Sequence, residues 1–194
     1  MARSDLAMTS TVEIAGSGSP PGCGEVVVTV AVFFNVVPPG TAWSTAAVTT
    51  MSDGESFTGK SARLQVTVVP VGSSVSFPNK DTVRHHVYSF SQAKTFEIKL
   101  YIGNPGNPVV FDRPGIVVLG CNIHDQMAAW VVVVETPYHA RSVSNGKVQI
   151  EVPPGSYRLR VWHPDLPVGA PALDQALNVA SSGAGVQVKL PISP

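Results

Sequence analysis

The chain has 194 residues and no formal net charge, with 13 Lys and Arg set against 13 Asp and Glu. That balance excludes the basic stripe a nucleic-acid partner needs. Hydrophobic residues make up 44% and charged residues only 13%, which excludes a disordered chain.

The length suits one large domain or two small ones. Gly and Pro number 17 each, and Val dominates the apolar runs. Such a composition predicts many short strands joined by tight turns. The start, Met1-Ala2-Arg3-Ser4-Asp5, lacks the basic end and apolar core of a signal peptide, so no export signal is visible.

In chain order, the first expected strands are Thr11–Ile14 and Glu25–Val37. Between them Cys23 lies in a Gly/Pro turn and reads as incidental. The second run is interrupted by Thr29 and Asn35 and is too short to span a membrane as a helix. Residues 38–60, rich in Ser, Thr and Gly, read as a long loop. Seven strands are then expected at Arg63–Val69, Ser74–Phe77, Val83–Phe90, Thr95–Tyr101, Val109–Phe111, Gly115–Cys121 and Ala128–Glu135. No amphipathic helix is evident, so the class is all-β, a sandwich or barrel.

The character changes after Thr136. Asn145-Gly146 signals a hairpin turn. Val148–Val152 alternates cleanly, Pro153-Pro154-Gly155 turns, and Tyr157–Val161 alternates again. Together these read as a strand–turn–strand unit with one buried face. A late alternation follows at Val186–Leu190. The expected organisation is residues 1–60 as N-terminal strands and loop, 61–135 as a site-bearing domain, and 136–194 as a C-terminal β element and tail.

The chemistry concentrates in Cys121-Asn122-Ile123-His124-Asp125-Gln126-Met127. A thiolate, an imidazole and a thioether lie within seven residues, on a loop between two expected strands. Copper cycling between Cu(I) and Cu(II) favours that mixture, usually as two His and one Cys in a trigonal plane with a long axial Met. Strand periodicity selects the second His. In Val83-Arg84-His85-His86-Val87-Tyr88, His85 shares the apolar face with Val83 and Val87, while His86 shares the other with Arg84 and Tyr88. His85 is therefore the candidate ligand, and a bulge in the strand would exchange it with His86.

Phe77-Pro78-Asn79 followed by His85 resembles the plastocyanin and amicyanin pattern of the cupredoxins. So does Pro114-Gly115 followed by Cys-x-x-His-x-x-Met, in the short amicyanin spacing. From Val75 to Trp162 the chain is most similar to the cupredoxin-like proteins of methylamine-utilisation clusters. The resemblance implies a Greek-key β-sandwich holding type 1 (blue) copper on His85, Cys121, His124 and Met127. It implies that Asn79 holds the ligand loop against the His85 loop, and that electrons leave through an exposed His124 ringed by apolar residues such as Ile123. His86 stands where those families carry Asn directly after the ligand. The implied role is a one-electron carrier, not an enzyme, working in the periplasm between redox proteins of the dehydrogenase or cytochrome c type. The segment from Asn145 to Val161 is similar to transthyretin-like and carboxypeptidase-regulatory-like sandwiches. That likeness makes the N-terminal strands its partners and the copper segment an insertion.

Competing chemistry finds less support. A multicopper oxidase needs His beside the Cys, where this chain has Gly120 and Asn122. A dinuclear copper centre needs a second loop Cys. A Cys121 nucleophile would leave Met127 and the strand pattern as coincidences, while a zinc site on Cys121 and two His stays open. A copper-delivery protein or a non-redox binding module is the remaining alternative, although the four Met are not clustered. His139, His163, Asp125, Trp130 and Trp162 read as structural or surface residues.

Overall fold

A computed structural model describes residues 9–16, 24–25, 31–34, 65–80, 82–123, 128–142, 148–167 and 169–190. Among these the chain is all-β, with fifteen strands and no helix. The expected loop over 38–60, Cys23 and the Asn145-Gly146 turn lie outside the described residues. The strands group into two compact units, Met1–Thr41 with Glu135–Pro194, and Ala42–Val134.

The first unit contains β1 (Thr9–Gly16), β2 (Gly24–Glu25) and β3 (Ala31–Phe34). Its C-terminal part adds β11 (His139–Ala140), β12 (Val148–Val152), β13 (Gly155–Trp162), β14 (Leu173–Val179) and β15 (Ala184–Lys189). One sheet has the order β12-β1-β15, and the other β11-β3-β13-β14 with β2 beside β13. The N-terminal strands thus pair with the C-terminal ones. The two alternating runs, β12 and β13, bury one face each as their pattern dictates, but they belong to different sheets. Alternation sets which face is buried, not which strand is the neighbour. The Pro153-Pro154 turn carries the chain between the sheets, and Tyr157 Oη caps it by donating to Pro153 O at 2.5 Å.

The Ala42–Val134 unit carries the candidate site. Its strands are β4 (Gln65–Pro70), β5 (Ser73–Val75), β6 (His85–Ser91) and β7 (Lys94–Tyr101). They continue with β8 (Val109–Phe111), β9 (Gly115–Cys121) and β10 (Ala128–Val134). Five form a sheet of order β4-β10-β9-β6-β7, and β5 pairs with β8. Val87, Val117, Leu119, Ala129, Val131 and Val133 point from the large sheet onto Val75, Phe77 and Phe111, all within 3% of full burial. Phe96 joins this layer, edge-on to Phe111 at 6.2 Å and tilted against Phe77 at 5.5 Å. Each such apolar side chain contributes about 2 kcal/mol by leaving water, so a rigid apolar wall stands behind the ends of β6 and β9.

A β-bulge interrupts the β6–β7 ladder. His85 pairs with Tyr101 but Val87 pairs with Ile98, so β7 spends one extra residue between the two rungs. Lys99 and Leu100 both face outward there, and Leu100 is 50% exposed. The extra residue sits in β7, and β6 keeps strict alternation, with His85 and Val87 buried around a less buried His86.

Candidate metal centre

His85 opens β6 and Cys121 closes β9, and these strands are antiparallel neighbours in which Val87 pairs with Cys121. Both side chains therefore emerge at the same end of the sheet, on its core face. His85 is 3% exposed and Cys121 4%. Cys121 Sγ lies 3.8 Å from His85 Nδ1. One first-row ion bonded to a thiolate at about 2.3 Å and an imidazole at about 2.0 Å, roughly 120° apart, sets its donors about 3.7 Å from each other. The observed separation fits a shared ion. Without one, the same distance is a sulfur–nitrogen hydrogen bond.

His124, Asp125, Gln126 and Met127 lie outside the described residues. Among the described residues no three His, Cys, Asp or Glu side chains cluster. Val83 does not share the buried face as periodicity predicts. It precedes β6 and is 46% exposed, because the strand begins only at His85.

Asn79 is 7% exposed and anchors the approach to His85. Its Nδ2 donates to Val83 O at 2.8 Å and to Tyr101 O at 2.9 Å. Its backbone exchanges two hydrogen bonds with Gly103, at 2.7 and 3.0 Å. These bonds tie the His85 loop to the end of β7.

His86 faces the opposite side of the sheet. Its Nε2 lies 2.9 Å from Glu97 Oε1, close in distance but without the alignment of a hydrogen bond. Its ring meets Tyr88 edge-on at 5.8 Å. Tyr88 lies over Gly120, where a Cβ would come within 2.9 Å of the phenol carbon and oxygen. An open depression of about 560 Å³ is lined here by Tyr88, Phe90, Val118, Gly120 and Asn122 among others.

Tyr101 was not singled out by its residue type or spacing. Its hydroxyl donates to Phe77 O at 2.7 Å. Burial pushes its phenol up to about 12, and the nearby Cys121 charge adds to the effect. The outward Leu100 beside it is the sign of the bulge, and sequence alternation alone hides it.

The other histidines are structural in setting. His163 Nδ1 accepts from Asp165 N at 3.0 Å, and His139 Nδ1 donates to Thr136 O at 3.2 Å. Trp162 is buried, at 5% exposure.

No protein-family model matches the chain, and no curated protein does. Among solved structures it is similar to a purple cupredoxin from Nitrosopumilus maritimus, at 25% identity and a TM-score of 0.32, over 36% of this chain and 77% of that one. It is also similar to a copper-containing nitrite reductase from Thermus scotoductus SA-01, at 26% identity and a TM-score of 0.34. That overlap spans 37% of this chain and 19% of the reductase.

Proposed function

We propose that the chain is a cupredoxin-like protein, with a type 1 copper site in its Ala42–Val134 unit, and passes single electrons between redox proteins. The observation that carries this reading is the buried approach of Cys121 Sγ to His85 Nδ1 at 3.8 Å. His124 and Met127, three and six residues after Cys121, supply the further imidazole and the thioether. Copper bound there would supply a one-electron couple between Cu(I) and Cu(II).

The protein's own part is to hold the donors and exclude water. The core layer of Phe77, Phe111 and Leu119 backs the ligand ends of the strands. Asn79 and the strand ladder fix His85 before any metal arrives, which limits rearrangement when the charge changes. Ile123, the residue before His124, is 48% exposed and would offer a partner an apolar contact. Electron transfer then needs only a docked partner, such as a dehydrogenase or a cytochrome c type acceptor. A periplasmic setting and a methylamine-utilisation role follow from the sequence resemblance.

The test is colour. Protein loaded with Cu(II) is expected to show an intense thiolate-to-copper band, lost in Cys121→Ala and His85→Ala and kept in His86→Ala and His163→Ala. Ascorbate should bleach it and a cytochrome c acceptor should restore it. A colourless protein with an intact fold after loading would sink the copper reading. A blue protein that no redox partner reoxidises would leave copper storage or delivery as its use.

A further inference from the structure

We infer that Tyr101 is a positioning residue for the His85–Cys121 pair, acting through a closed ring of hydrogen bonds around the His85 loop; this rests on the copper reading. Tyr101 is the cross-strand partner of His85 at the last rung of the β6–β7 ladder. The extra residue in β7 turns this side chain inward and leaves Leu100 outside. Bulges commonly re-aim a side chain beside a functional site.

Three links close the ring. The Tyr101 hydroxyl donates to Phe77 O at 2.7 Å. The Tyr101 carbonyl accepts from Asn79 Nδ2 at 2.9 Å. The same nitrogen donates to Val83 O at 2.8 Å, two residues before His85. Backbone bonds between Asn79 and Gly103 lock the far side. The segment entering β6 is thus held at Phe77, Asn79 and Val83, and two of those anchors end on Tyr101. Groups behind a metal ligand set its orientation, and removing them changes the metal's properties without removing a ligand.

Tyr101→Phe cuts the hydroxyl link and keeps the aromatic side chain; Asn79→Ser cuts the hydrogen-bonded circuit at its other links and serves as the second variant. Both are made in a Cys23→Ser background, so that Cys121 is the single thiol. In metal-free protein, modification of Cys121 by an aromatic disulfide reagent is expected to run about tenfold faster in Tyr101→Phe, the worth of one hydrogen bond in local opening. With Cu(II) bound, the charge-transfer band and the copper hyperfine splitting are expected to shift in both variants. Tyr88→Phe, on the outer face, should change neither. A merely structural Tyr101 would lower stability and leave the Cu(II) spectrum unchanged, and that result overturns the inference. Should the parent protein itself prove colourless with copper, the copper reading fails separately. The thiol rate then decides alone, and an unchanged rate overturns the inference.

Discussion

His85 in the Ala42–Val134 unit and His163 in the other unit are both nearly sealed from solvent, at 3% and 6% exposure. Their neighbours separate them. The Nδ1 of His163 already accepts a backbone N–H at 3.0 Å, and His139, in the same unit, spends its Nδ1 on a backbone carbonyl. Such rings stitch the chain to itself, and each bond selects one tautomer. The Nδ1 of His85 looks instead at a thiol sulfur 3.8 Å away. Burial alone does not mark a ligand. A buried imidazole facing a soft donor is the arrangement the proposed copper site needs.

The largest expected effect tests whether the two units stand independently. Leu119 and Leu159 are both buried, at 1% and 0% exposure, one in each unit. Truncation of either to Ala should cost about 2–5 kcal/mol through lost transfer energy and a cavity. Leu119 lies two residues before Cys121 on the same face of β9. Leu119→Ala is therefore expected to weaken the copper band as well as stability. Leu159→Ala should lower stability, read by urea denaturation, with the band intact at low denaturant. If both variants lose the band equally, the units unfold as one and the contrast between them is lost.

Two glycines near strand ends carry a second contrast. Gly120 in β9 and Gly185 in β15 look alike in sequence. A Cβ on Gly120 would meet the Tyr88 ring at 2.9 Å, whereas one on Gly185 would meet nothing within 4 Å. Gly120→Ala is expected to cost about 1–3 kcal/mol by overpacking, and most of that cost should vanish in a Tyr88→Ala background. Gly185→Ala should be neutral or mildly stabilising, since it reduces the freedom of the unfolded chain. Equal costs at the two glycines, measured by denaturation, would show that the Tyr88 contact carries no weight.

Much of this could be read from the residues alone, for reasons that differ by region. The inward phase of His85 was legible because Val87, two residues on, is a core valine and β6 alternates without a break. Val83 misled, since alternation does not say where a strand begins. Thr95–Tyr101 is expected as a strand, and simple alternation along it would set Leu100 with Phe96 and Ile98. A one-residue bulge in the partner of β6 reverses that for Leu100 and Tyr101, and no local propensity encodes it. The strand β14 escaped notice because Asp174, Gln175, Ala176 and Asn178 are poor strand formers and Leu173 and Leu177 are only half-buried. It is held by pairing with β13 and by Arg158 and Arg160 on Asp174. The approach of Cys121 to His85 depends on β6 and β9 being neighbours, which a one-dimensional pattern does not state.

The smallest effect concerns pH and belongs to the Glu135–Pro194 side. Burial lowers the pKa of both His139 and His163; Thr136 O opposes the shift at His139, and the Asp165 carboxylate, 3.6 Å from Nδ1, opposes it at His163. An ordinary imidazole titrates near about 6.5. As pH falls below that value the unfolded chain takes up protons that the folded rings still refuse, so stability falls with pH in this window. The contribution is complete above about 6.5 and erodes downward until the lowered folded values are reached. Urea midpoints of the metal-free protein should therefore drop between pH 7.5 and 5.5. The drop should be shallower in His163→Gln, whose amide oxygen can still accept from Asp165 N, and shallower again with His139→Gln added. Copper bound at the proposed site would add a pH dependence of its own, so the metal-free form is the fair comparison. An unchanged slope in the double variant would mean that these two rings are not what acid attacks in this unit, and that burial there is matched by the Asp165 charge and the hydrogen bond to Thr136 O.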